Sequence, residues 1–488
     1  MKLLTNNIIS KWLLALSLSL FILISCKKET NHFPVQQENS LAQRDTLQNG
    51  NNGNNGENGD NNGHLKQTKT FSSDVVVRWL NMQLDMLRVP LPLGTGTQAA
   101  NRALAYCGIA TYEAVVNGMP GYQTLTGQLI DFPGMPVTEP GKAYHWATSA
   151  NAALAEMNRK LFPTTSLANK AKIDTLEKTL QAIYAGETDA ATLARSVAFG
   201  KEVALIVFKW ADADGSGNIN GQYIPKPQFI GPAFWVQSLG TNNRLLTTPP
   251  NFPQATNPYA EQLRLITPDV SNGTALEPPP AYSTNPASPF FAMVKDVYDK
   301  SKALTPAQIA MAIYHRDAPG YPGGGHFVAV LSQVLTKAGS RLDVAALAYA
   351  KTGIASFDAL TICFVNKYTY NLVRPINYIR NVIRDTTWNS LIITPGHPEF
   401  PSAHAVAASS IATMLTDVFG DNFQFTLNTY GYLRFPARSY NSFHEMAKEM
   451  ADSRVFAGIH YQASCDKGRG LGEKVAQNIL DKVKFLKE

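Results

Sequence analysis

Lys367, Arg374, Ser402, His404, Arg454 and His460 follow one another along a single stretch of the 488-residue chain, supplying three cations, one hydroxyl and two imidazoles. Lys367 and Arg374 are seven residues apart, about two turns of a helix, so one continuous helix would aim both charges the same way. Pro375 would then end or kink that helix. Ser402 stands before a run of small residues and is placed as an N-cap. The free amides of the following turn, Ala403 among them, and the helix dipole make an anion cradle with the His404 side chain beside it. Arg454 and His460 are six residues apart, about 600° of helix and hence about 120° around it, so they can meet only if the chain bends near Gly458. Singly, each motif has an ordinary explanation: a solvated basic pair, a capped helix, a surface arginine with a core histidine. Together they suit a tetrahedral oxyanion such as phosphate or vanadate, whose charge needs several donors and whose central atom can accept an in-line nitrogen.

The elements that must hold these groups are helices. Apolar residues recur at helical spacing over 101–115, 144–161, 167–184, 190–210, 306–314, 326–336, 344–371 and 404–419, while alternating strand patterns are scarce. The apolar run from Ala359 to Val365, just before Lys367, marks a buried helix whose charges need an anion. Between Gly215 and Ser288 the chain is rich in Pro, Gly and Asn, with Pro278-Pro279-Pro280 at its centre. That is an irregular excursion of the kind that walls or covers a site. The expected fold class is all-α, a helical bundle with long irregular loops.

Composition narrows the partners. The chain is 44% hydrophobic and 16% charged, too apolar for disorder and long enough for a large core. A net charge of +6 without a concentrated basic stripe gives no reason to expect nucleic acid. Cys26, Cys107, Cys363 and Cys465 form no CxxC pair, which argues against a zinc ribbon or a dithiol centre. Lys2, Lys11, the apolar run Trp12 to Ile24 and Leu23-Ile24-Ser25-Cys26 read as a secretory signal over 1–25, whose apolar run of about 13 residues falls short of the roughly 20 needed for a membrane span. Its removal lowers the net charge to +4. Residues 26–70, ending in a Gly/Asn run, read as a flexible tether, and 71–488 as the folded domain, with the site motifs in 358–470.

Two resemblances sharpen this reading. The ending at Cys26 resembles a bacterial lipobox, which implies a lipidated Cys26 and attachment in the bacterial envelope, at the outer membrane or cell surface, by that anchor only. The segments Lys367 to Pro375, Pro401-Ser402-Ala403-His404 and Ser453 to His460 resemble the signature of the superfamily of type 2 phosphatidic acid phosphatases, bacterial acid phosphatases and vanadium-dependent haloperoxidases. The likeness is close over roughly the last 120 residues. It is looser over 101–115 and 358–367, where it is to the large haloperoxidase-like branch. It implies a helical bundle with vanadate as cofactor, His460 as the axial vanadium ligand, and Lys367, Arg374 and Arg454 on the equatorial oxygens. Ser402 and the Ala403 N–H would add hydrogen bonds, and His404 would move protons at the apical oxygen. Hydrogen peroxide, activated by Lys367, would oxidise bromide or iodide and so halogenate a small organic acceptor. With a phosphoester in the same site, His460 becomes the nucleophile and His404 the general acid of a phosphatase. A third reading is a surface lipoprotein that binds a glycan or protein beside a vestigial site.

Length and the lack of multiple apolar spans favour the haloperoxidase-like branch. His397, five residues before Ser402, matches a position where algal bromoperoxidases carry His and fungal chloroperoxidases Phe, which points to bromide or iodide. Two departures stand out. Ala403 replaces the signature glycine but keeps the N–H. Ser464 stands where the family commonly has an Asp that orients the axial histidine, so either the nearest acid, Asp466, substitutes or the site is weakened.

Four further features are read as structural first. Gly323-Gly324-Gly325-His326 is a turn before a helix that could also wall the pocket. Asp212 to Asn218 resembles half a calcium loop but has Tyr223 where the final acid belongs, so a turn is expected. Asp358 is expected to serve helix packing. Cys107, Cys363 and Cys465 are expected as buried thiols, with a Cys363–Cys465 bond as the alternative.

Overall fold

A computed structural model describes residues 66–87, 96–221, 223–235, 255–316 and 324–487. Cys26, the signal segment and nearly all of the tether lie outside the described residues.

The helical periodicity becomes thirteen α-helices among those residues. Five come first: Asp74–Leu87, Gly96–Val115, Trp146–Leu161, Leu167–Ala185 and Ala190–Asp212. Pro289–Lys302, Pro306–Tyr314, Gly325–Ala338 and Leu342–Tyr370 follow the excursion, then Pro375–Tyr378, Ala403–Phe419, Phe443–Phe456 and Gln462–Lys482. Local chemistry sets several starts. Thr305 and Gln308 form a reciprocal capping box, and Ser166, Asp189, Ser288 and Ser442 each accept a first-turn amide. The only strands among the described residues form a short antiparallel pair, Phe425–Leu427 with Arg438–Tyr440. No described helix is long and apolar enough to cross a membrane.

Leu342–Tyr370 is the shaft of the bundle. Every residue from Ala348 to Phe364 is buried, because Gly96–Val115 packs on one side and Ala403–Phe419 on another. A helix buried on all sides carries no amphipathic stripe, which suits the continuous apolar run in its sequence. Gln462–Lys482 then covers Ala403–Phe419 closely: a Cβ on Gly472 would stand 2.2 Å from Val406 O. A second apolar cluster, including Leu372, Phe400, Val455 and Tyr461, backs the loops that carry the site.

The described residues of the excursion are irregular apart from short 3₁₀ turns, as its composition implies. Asp358 does more than pack a helix. Its carboxylate accepts Ile266 N at 2.7 Å and Thr267 N at 3.0 Å, fastening the excursion to the shaft. Burial pushes its pKa up to about 7 against the pull of those hydrogen bonds. Asp214 accepts Arg102 Nε and Tyr106 Oη, each at 2.8 Å, and Ser216 N, also at 2.8 Å, so this segment is a turn held by a buried ion pair. Cys107, Cys363 and Cys465 are free, buried thiols. Packing begins slightly before Phe71, since Lys66 O accepts Trp146 Nε1 and buried Thr68 donates to Val115 O, both at 2.8 Å.

Candidate oxyanion site

Lys367 and Arg374 do not share a helix, contrary to the reading from their spacing. The shaft stops at Tyr370, where Asn371 turns left-handed at φ 47° and its amide closes on Lys367 O at 2.8 Å. Arg374 is extended and precedes the short helix Pro375–Tyr378. The two cations converge because each grips the loop 397–401. Lys367 Nζ donates to Pro398 O at 3.0 Å, to Glu399 O at 3.1 Å and to Pro401 O. An ammonium has three protons, so this set is complete. Lys367 therefore holds the loop, and it is not among the residues that line the cavity described below. Burial lowers its pKa to about 7.

Arg374 donates through Nε to His397 O at 2.9 Å and through Nη1 to Ile459 O at 2.8 Å. The same guanidinium reaches both imidazoles, His460 Nε2 at 3.2 Å and His397 Nδ1 at 2.9 Å. Because guanidinium only donates, both ring nitrogens act as acceptors. Burial and then the charges of Arg374, Lys367 and Arg454 hold His460 well below the usual histidine range. His397 is lowered in the same way, by burial first and then by Lys367 and Arg374. Burial and the neighbouring cations thus favour the uncharged form of both rings.

Asp466 is not the carboxylate behind His460. It lies exposed and accepts Gln462 Nε2. The partner is Glu399, fully buried, whose Oε1 receives His460 Nδ1 at 2.8 Å and whose Oε2 receives Ser464 Oγ at 2.6 Å. Sequence spacing hid this pairing, because Glu399 is 61 residues from His460. An acid inside the His397 to His404 motif was the available signal.

The bend expected between Arg454 and His460 is present. Phe443–Phe456 ends just after Arg454, and Gly458 takes φ +77° before the next helix begins at Gln462. Arg454 is buried and donates to His315 O at 2.7 Å. Ser402 is the residue before the helix Ala403–Phe419, but its side chain caps nothing. Its Oγ is buried without an oxygen or nitrogen partner, beside the Cys465 thiol.

Arg454, His397, His404, His460 and Ala403 line a cavity of ≈ 260 Å³, with Phe327, Leu360 and Phe364 as its apolar wall. Gly324 also lines it, so the glycine turn does help wall the pocket; His326 instead stacks on Tyr430, and Gly323 lies outside the described residues. Three buried cations against one buried carboxylate leave positive charge that burial makes costly without an anion. The uncapped N-terminus of Ala403–Phe419 opens beside the cavity through Ala403 and His404, and the buried Ser402 hydroxyl precedes it next to the Cys465 thiol. The residues fit a tetrahedral oxyanion.

Residues 347–488 match the family described as VCPO second helical-bundle domain. The whole fold is similar to that of a bacterial vanadium-dependent iodoperoxidase, at 26% identity and a TM-score of 0.74, over 86% of this chain and 98% of that one. Apo and holo structures of a bacterial vanadium-dependent chloroperoxidase share the fold at 13% and 16% identity, with TM-scores of 0.56 and 0.55. They cover 81% and 82% of this chain and 96% and 94% of theirs. No curated protein matches the sequence. The chain has the mostly helical fold of the vanadium haloperoxidase branch, and residues 347–488 form its second helical-bundle domain.

Proposed function

We propose that this chain is a vanadate-dependent haloperoxidase that uses hydrogen peroxide to oxidise bromide or iodide and so halogenates small organic acceptors. The observation that carries the reading is the geometry at His460: Nδ1 rests on Glu399 at 2.8 Å and Nε2 on Arg374 at 3.2 Å, while burial and the neighbouring charges favour the uncharged ring. Such a nitrogen is made to bind an electrophilic centre that carries negative oxygens. Vanadate held there supplies the centre at which peroxide is activated toward a halide. Arg374 and Arg454 would neutralise its charge, the first-turn amides and Ser402 Oγ would donate to it, and Lys367 would contribute its charge from behind the loop. His404, on the cavity wall, moves protons. The 26% identity to an iodoperoxidase over most of both chains supports iodide, and His397 is the residue on which bromide rests.

The same lone pair favours a second reading, in which His460 attacks a phosphomonoester and His404 protonates the leaving group. One assay pair separates the two: iodination or bromination of a phenol with peroxide, with and without vanadate, beside hydrolysis of a phosphomonoester. Halogenation that requires vanadate is expected. Phosphate release without any halogenation would overturn the proposal. The proposal includes attachment to the bacterial envelope through lipidated Cys26, which labelling with a radioactive fatty acid would test against Cys26→Ser.

A further inference from the structure

We infer that Glu399 is the positioning residue for His460, supplied from the loop 397–401 instead of from the helix that follows His460, and that Ser464 locks it in place. The inference deepens the oxyanion reading and rests on it.

One oxygen of Glu399 grips two consecutive residues: Oε1 takes the ring Nδ1 of His460 at 2.8 Å and the backbone N–H of Tyr461 at 2.9 Å. The other oxygen takes Ser464 Oγ at 2.6 Å, one turn into the next helix. Three donors thus converge on a carboxylate with no exposure to solvent. The Tyr461 amide can only donate, which fixes the orientation of Oε1, and Oε1 in turn requires a proton on His460 Nδ1. That selects the tautomer whose free lone pair is on Nε2. The ring cannot rotate without breaking this bond and the one from Arg374.

Glu399 is itself immobilised from both sides. Its N–H donates to Leu372 O at 3.0 Å, and its carbonyl accepts Lys367 Nζ at 3.1 Å. Lys367 and Glu399 therefore form one device: the lysine fixes the loop, the loop fixes the carboxylate, and the carboxylate fixes the imidazole. Ser464 stands close enough to Glu399 Oε2 that a carboxylate placed at 464 would reach the same region.

The test measures vanadate binding to the metal-free protein by equilibrium dialysis, with inorganic phosphate as a second probe and a thermal melt for each variant. Glu399→Gln is expected to weaken vanadate binding about 10–100-fold, the usual consequence of losing a carboxylate behind a ligating histidine. Ser464→Ala, a milder change that preserves folding, is expected to weaken it several-fold. Combining Glu399→Gln with Ser464→Asp is expected to recover at least tenfold of the loss. Wild-type affinity in both Glu399→Gln and Ser464→Ala would overturn the inference, as would a loss that the carboxylate swap does not repair. If Glu399→Gln fails to fold, unchanged affinity in Ser464→Ala overturns it. A wild-type protein that binds neither anion would overturn the oxyanion reading, and this inference with it.

Discussion

Arg374 Nη1 lies 3.2 Å from His460 Nε2, so a guanidinium proton rests on the nitrogen that the proposed chemistry needs. A group bound through Nε2 takes the place of that hydrogen bond and arrives beside a buried positive charge. Arg374 also holds His397 O, His397 Nδ1 and Ile459 O, which ties both imidazoles to one rigid plane. A lysine has the charge but not the fork. Arg374→Lys is expected to lower vanadate affinity at least tenfold and to abolish most halogenation. Equilibrium dialysis beside an iodination assay checks this, and undiminished affinity would contradict it.

His404 belongs to the first turn of Ala403–Phe419 and lines the cavity. A residue that moves protons affects turnover more than binding. His404→Ala should reduce kcat for halogenation by about 10²–10⁴, the usual contribution of a general acid or base. Vanadate affinity should change only a few-fold, and an equal loss in both would assign His404 to binding.

Gly458 makes the turn between Arg454 and His460 at φ +77°, and a Cβ there would meet the Trp388 ring at 3.0 Å. Both the conformation and the space disfavour a side chain. Gly458→Ala should cost about 1–3 kcal/mol of stability and displace His460. Denaturant unfolding measures the first effect, and vanadate affinity the second. A variant as stable and as tightly binding as the wild type would show that the bend tolerates a side chain.

Asp358 gives a pH dependence with a definite sign. Its carboxyl is raised from 3.8 to about 7 by burial, so the folded chain holds this proton more tightly than the unfolded chain. The contribution to stability is present in full below pH 3.8 and is lost as pH rises through about 7. Asp358→Asn, which cannot ionise, should flatten that part of the profile of melting temperature against pH. An identical slope in both proteins would place the dependence elsewhere.

The helices were legible in sequence because burial on a helix repeats with a short period, and Pro306–Tyr314 begins and ends where its pattern does. The site was legible as a set of residue types. Its assembly was not. Spacing alone put Lys367 and Arg374 on one helix, since nothing in the chemistry of Asn371 requires the left-handed turn it makes. Asp466 is the nearest acid along the chain, whereas Glu399 reaches His460 across a fold that no local pattern encodes. The bend at Gly458 could be inferred because geometry demanded it: a straight helix cannot aim Arg454 and His460 together.

The shaft Leu342–Tyr370 fastens the excursion through Asp358 and the site loop through Lys367, nine residues and about 14 Å further along the same rod. Two walls that are far apart in sequence thus share one mechanical reference. Thr256 of the excursion, His397 of the site loop and Leu360 and Phe364 of the rod itself all line the cavity. A crowded or hollowed core anywhere between Ala348 and Phe364 is therefore felt at the oxyanion, however remote it looks on a map of contacts.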